Sequence, residues 1–124
     1  MPTLTLDTNN ASYQIRSFKP GAIQINEKIF TQSLIIAPHL LIEQWIPQTI
    51  AELTAQTLSP ILAMNPNIVL IGTGSTLIFP AMEVYGELIN AHIGVEIMDT
   101  SAACRTYHAL SSENRNVVAA LIIR

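Results

Sequence analysis

Gly72-Thr73-Gly74-Ser75-Thr76-Leu77 follows an apolar run and precedes a helical segment, the position from which a glycine-rich loop presents backbone amides to a phosphate. The sixth place holds Leu77 where a dinucleotide loop has Gly or Ala, Pro80 delays the helix, and no Walker lysine follows. Two readings stand: a small anionic or polar ligand held by the amides, or two glycines permitting a tight turn beneath a neighbouring loop. A partial motif of this kind favours the turn.

A second group runs from Glu96 through Asp99, Thr100, Cys104, Arg105, Thr106 and Tyr107 to His108. In open parallel sheets ligands bind beyond the carboxyl ends of strands, and Asp99-Thr100 and Gly72-Thr73-Gly74 both fall at such ends, so adjacent strands would line one crevice with these loops. There Asp99 would accept a hydrogen bond or act as a base, and Arg105 would hold an anion or carboxylate. The plainer alternative makes Asp99 a helix cap, with Arg105 paired to it or to Glu113. Cys104 and His108 stand at i and i+4, which sets a thiol and an imidazole on one helix face. A nucleophilic cysteine needs a lowered pKa and exposure, however, and the adjacent Ala102 and Ala103 argue for close packing. His39 and His92 lie far off in sequence and no ligand spacing repeats, so neither a metal nor a cofactor is expected.

The elements that must position these residues differ between the two halves of the chain. Tyr13, Ile15 and Phe18, then Ala22 to Ile25, Lys28 to Phe30, Leu34 to Ala37 and Leu40 to Ile42 read as short strands. They are separated by the turns Lys19-Pro20-Gly21 and Asn26-Glu27 and by Pro38, which marks a bend or an edge. From Pro47 onward helix and strand alternate. A helix begins near Thr57-Leu58-Ser59-Pro60 and ends at Asn65-Pro66, and Ile68 to Ile71 is a strand buried on both faces. Pro80 opens a helix with Met82, Tyr85 and Ile89 at helical spacing; Ile93 to Met98 is a strand, Ser101 to Leu110 a helix, and Val117 to Ile123 a final strand. Trp45 reads either as a core aromatic or as an exposed interface anchor. The expected fold is a three-layer α/β domain over residues 1–124. Its mixed central sheet has a C-terminal βαβαβ half, helices on one side, and an N-terminal antiparallel β meander joined to it or packed on it.

Composition narrows the function classes. The 124 residues carry six Lys and Arg against nine Asp and Glu, a net charge of −3, and no basic run, which argues against nucleic acid as a partner. Charged residues make up 12% of the chain and hydrophobic ones 49%, so apolar surface is expected to be covered by a protein partner or by a second copy in a homodimer. Met1 to Asp7 shows neither a basic leader nor an apolar core of a signal peptide, and Leu34 to Ile42 is too short and too broken to insert into a membrane. The lone Cys104 suits a reducing compartment, and a cytoplasmic location is expected.

Ile71-Gly72-Thr73-Gly74, Gly94 to Thr100, Ala102 to Tyr107 and Glu113-Asn114-Arg115 together resemble blocks of a known family. It is the small-domain family of largely unknown function that includes mitochondrial respiratory complex I assembly factor 3, adipogenesis-associated relatives and many bacterial and archaeal proteins. The likeness runs from about Ile15 to Leu121. It implies a compact three-layer α/β domain. The positions that match the family's blocks are Gly72, Thr73, Gly74, Glu96, Asp99, Thr100, Cys104, Arg105, Thr106, Tyr107, Glu113 and Arg115. His108 departs from the Asn usual after the Tyr, which leaves the Cys104 and His108 pair without family support, and Glu27 stands where the hairpin often has Gly. For function, the resemblance implies assembly work beside a membrane, with a membrane-complex subunit as partner.

The expectation is therefore a non-enzymatic, assembly-factor-like binding domain that serves a membrane respiratory complex. Its ligand or partner crevice would comprise Gly72, Thr73, Gly74, Glu96, Asp99, Thr100, Arg105 and Tyr107. The alternative is a small enzyme or anion sensor using the same crevice, with Asp99 as base.

Overall fold

The computed structural model describes residues 10–124; the stretch Met1 to Asp7, on which the signal-peptide expectation rests, lies outside them. Strands β1 (Ile15–Lys19), β2 (Ala22–Ile25) and β3 (Lys28–Phe30) form an antiparallel three-stranded sheet. Its turns follow from local chemistry. Pro20-Gly21 joins β1 to β2 with Gly21 at φ +92°, and Asn26, at φ +54°, opens the two-residue turn into β3.

Strands β4 (Leu34–Ala37) and β5 (Leu40–Ile42) leave this meander and build the edge of a second sheet. With β6 (Ile68–Gly72), β7 (Gly94–Met98) and β8 (Val117–Leu121) they give the order β5-β4-β8-β6-β7. β8 runs parallel to β6 and antiparallel to β4, and β6 is parallel to β7, so the sheet is mixed and the C-terminal βαβαβ unit is present. Pro38 is a turn residue of the β4–β5 hairpin, where its missing N–H costs no ladder bond.

Among the described residues three α-helices complete the domain: α1 (Ser59–Met64), α2 (Met82–Asn90) and α3 (Thr100–Ser112). α1 has Pro in its first turn and ends at Asn65 in the left-handed conformation. The helices do not lie on one side of the sheet. Alternate residues of β8 point to opposite faces. Val117, Ala119 and Leu121 pack with Leu70, with Ala103, Cys104 and Tyr107 of α3, and with Ile15, Ile23 and Ile25 of the small sheet. Val118, Ala120 and Ile122 pack instead with Val69 and Ile71, Ile61 of α1, Leu88 of α2, and Trp45. A strand apolar on both faces must be covered on both, and one layer of helices covers only one. Trp45 belongs to this second core, with its indole N–H donating to the Thr57 carbonyl at 2.7 Å.

Candidate functional site

β6 and β7 are neighbours, so the loops after them meet, and the contact between them is direct. The Thr73 amide donates to the Met98 carbonyl at 2.9 Å and the Thr100 amide to the Gly74 carbonyl at 2.9 Å. The Gly74 amide in turn donates to Thr100 Oγ1 at 2.8 Å, while that hydroxyl donates to the Ile122 carbonyl at 2.6 Å. Thr100 is completely buried between the loops.

The glycines are there for clearance. A methyl group on Gly72 would stand 2.8 Å from Thr100 Oγ1 and 2.9 Å from Leu121 Cδ2; one on Gly74, at φ +99°, would stand 2.9 Å from the Arg124 carbonyl oxygen. The amides of Thr73 and Gly74 point into neighbouring backbone and side chain, with their hydrogen bonds already made.

Asp99 caps α3, its carboxylate accepting the Ala102 amide at 2.8 Å. Glu96 lies in the body of β7 and is exposed at the sheet edge, away from the strand's carboxyl end. Arg105 pairs with neither Asp99 nor Glu113; its Nη1 donates to Ser101 Oγ at 2.9 Å, while Glu113 meets Arg115 at 3.8 Å in an exposed ion pair. Tyr107 is buried and its hydroxyl donates to the Tyr13 carbonyl at 2.9 Å, tying α3 to the chain entering β1; burial pushes its phenol above the usual range. Cys104 is buried as well. Desolvation pushes its thiol up to about 12, against a smaller downward pull from the Arg105 charge, the reverse of what a nucleophile needs.

The structure thus brings Gly72, Thr73, Gly74, Asp99 and Thr100 into one junction, and leaves Glu96, Arg105 and Tyr107 outside it. The junction also carries something that periodicity alone does not reveal. Thr73 Oγ1 donates to the Thr76 carbonyl at 2.7 Å and accepts the Ile78 amide at 3.2 Å, which fixes a loop whose Leu77, Ile78 and Phe79 are all exposed. Met82 and Ile89, seven residues apart on one face of α2, are exposed too, whereas Leu88 takes the buried face. Phe79 at 67% and Met82 at 65% exposure make this an apolar surface of the kind that water-facing proteins keep small. The signal in the sequence was an apolar stretch, Leu77-Ile78-Phe79, stopped by Pro80 with neither strand nor helix to bury it.

Fold and surface together define an α/β domain with a tightly closed loop junction and an apolar ridge beside it. The chain belongs to the family described as protein of unknown function (DUF498/DUF598), which matches residues 15–122. It is 32% identical over 123 residues to a 13 kDa major membrane protein of Francisella tularensis, covering 98% of this chain and 100% of that one. It is 34% identical over 116 residues to NADH dehydrogenase [ubiquinone] 1 alpha subcomplex assembly factor 3 of Danio rerio, covering 91% of this chain and 66% of the zebrafish protein. Among solved structures, an NMR structure of a Mth938-like domain from Bordetella pertussis superposes with a TM-score of 0.83 at 28% identity, covering 98% of this chain and 92% of the other. Among the described residues no helix is long and apolar enough to cross a membrane.

Proposed function

We propose that this chain is a non-enzymatic assembly domain that docks through its apolar ridge onto a subunit of a membrane respiratory complex of the NADH dehydrogenase type. The observation that carries the reading is the exposure of Leu77, Ile78 and Phe79 on a loop braced by Thr73, and of Met82 and Ile89 on the helix that follows it. Side chains of this size held out by a fixed backbone need little ordering on binding, so their burial is retained as affinity. The likeness to the zebrafish assembly factor supports the choice of partner, and the likeness to the Francisella membrane protein supports work at a membrane surface.

In this reading Gly72, Thr73, Gly74, Asp99 and Thr100 are the mount of the docking surface and do no chemistry. The protein acts from the cytoplasm and is held at the membrane by its partner. The test is affinity purification from detergent-solubilised membranes, compared with a Phe79→Asp/Met82→Lys double variant. Recovery of NADH dehydrogenase subunits with the parent chain and their loss with the variant, together with reduced complex assembly in cells lacking the chain, is the expected outcome. Recovery unchanged by the double variant sinks the reading.

A further inference from the structure

A groove of about 390 Å³ lies between β1 and α3, lined by none of the loop-junction residues. Its polar wall is built from two elements. Ser101, Arg105 and His108 recur at i, i+4 and i+7 along one face of α3, and Arg16 and Ser17 come from β1. Ile15, Phe18 and Cys104 supply an apolar floor.

Three observations point to an anionic ligand. Two of the six Lys and Arg residues of a chain with net charge −3 converge here, and no Asp or Glu lines the groove. Among the described residues, neither arginine is in an ion pair; the single pair is Arg115 with Glu113, and Arg105 is oriented only by Ser101. No carboxylate in the groove competes with an incoming anion for the two guanidinium groups. The third observation is in the backbone. Ile15 pairs with Ile25 and Ser17 with Gln24, so two steps along β1 meet one along β2, and Arg16 is the extra residue of a β-bulge. A bulge breaks the strict in-and-out alternation, and here four consecutive residues, 15 to 18, all reach the same groove.

We propose that this groove binds a small organic anion, a phosphate or carboxylate carried on a short apolar body, with Arg16 and Arg105 holding the oxyanion and Ile15 and Phe18 packing on the body. Ser101 orients the Arg105 guanidinium. The site is independent of the apolar ridge, so either assignment can fail without the other.

Titration of the 15N-labelled chain with phenyl phosphate, followed by amide shifts, tests this. Saturable changes confined to residues 15–18 and 101–108, weakening with added salt, are expected. Inorganic phosphate should bind the same residues more weakly. Arg16→Gln and Arg105→Gln should each raise the apparent Kd about tenfold or more, while Lys28→Gln, outside the groove, leaves it unchanged. Both arginines are exposed, so the variants should keep the parent's amide spectrum. The proposal is overturned by the absence of saturable changes, by changes that track other Lys and Arg residues, by binding that survives the double variant, or by binding to anionic vesicles in place of phenyl phosphate.

Discussion

Thr100 donates its hydroxyl proton to the Ile122 carbonyl at 2.6 Å from a position without solvent exposure, and its oxygen accepts the Gly74 amide at 2.8 Å. One side chain at the start of α3 thereby ties the loop after β6 to the residue after β8. Thr100→Val keeps the shape and strands both backbone partners in the interior. Chemical denaturation should show a loss of about 3 kcal/mol, and Thr100→Ser should restore most of it.

Gly72 and Gly86 give opposite answers to the same substitution. At Gly72 the added methyl meets Thr100 and Leu121 below 3.0 Å, and Gly72→Ala should cost about 2 kcal/mol through overpacking. Gly86 sits inside α2 with nothing within 4 Å of the point where a methyl would stand, and Gly86→Ala should add about 0.5–1 kcal/mol through helix propensity. Thermal melts of the two variants should move to either side of the parent.

The Cys104 thiol sets a limb of the stability profile at high pH. The unfolded thiol ionises near 9.0 and the folded one near 12, so the native state holds its proton after the unfolded state has lost it. The contribution is fully present below pH 9 and is lost as pH rises from about 9 to about 12. Burial raises Tyr107 in the same direction, which steepens the fall further up. Cys104→Ala should make the decline in denaturation free energy shallower over this window. In the native state at pH 8 an alkylating reagent should spare Cys104, and in denaturant it should label it at once.

Charge placed on the apolar ridge should separate stability from binding. Phe79 and Met82 are largely exposed, so Phe79→Asp and Met82→Lys should each alter unfolding free energy by no more than about 0.5 kcal/mol. Dye binding to exposed apolar surface should fall in both, measured by fluorescence at equal concentration.

Trp45 is the only tryptophan and is 5% exposed, with its indole N–H bonded to Thr57. Native emission should be blue-shifted and should move red in a single step with the loss of far-UV signal. A separate, earlier shift would show that the packing of the 45–58 segment melts on its own.

Local chemistry in the sequence determined the turns and the alternation of elements. Pro20-Gly21, the Asn65-Pro66 stop, the Asp99 cap and the unbroken apolar runs Ile68 to Ile71 and Val117 to Ile123 act within a few residues, so they can be read where they stand. Four matters were decided by tertiary structure alone. β4 and β5 join the central sheet because the edge of β8 that β6 leaves open carries backbone N–H and C=O groups that need partners, and strand pairing between distant segments leaves no local mark. Helices cover both faces because β8 is apolar on both. The loops at Gly72-Gly74 and Asp99-Thr100 come together as their places at strand ends suggested, but only the packed chain shows Thr100 between them, because the 2.8 Å clearance at Gly72 depends on side chains 28 and 49 residues away. Arg16 and Arg105 are brought to one groove by a bulge and a helix face whose relative position no spacing in the sequence records.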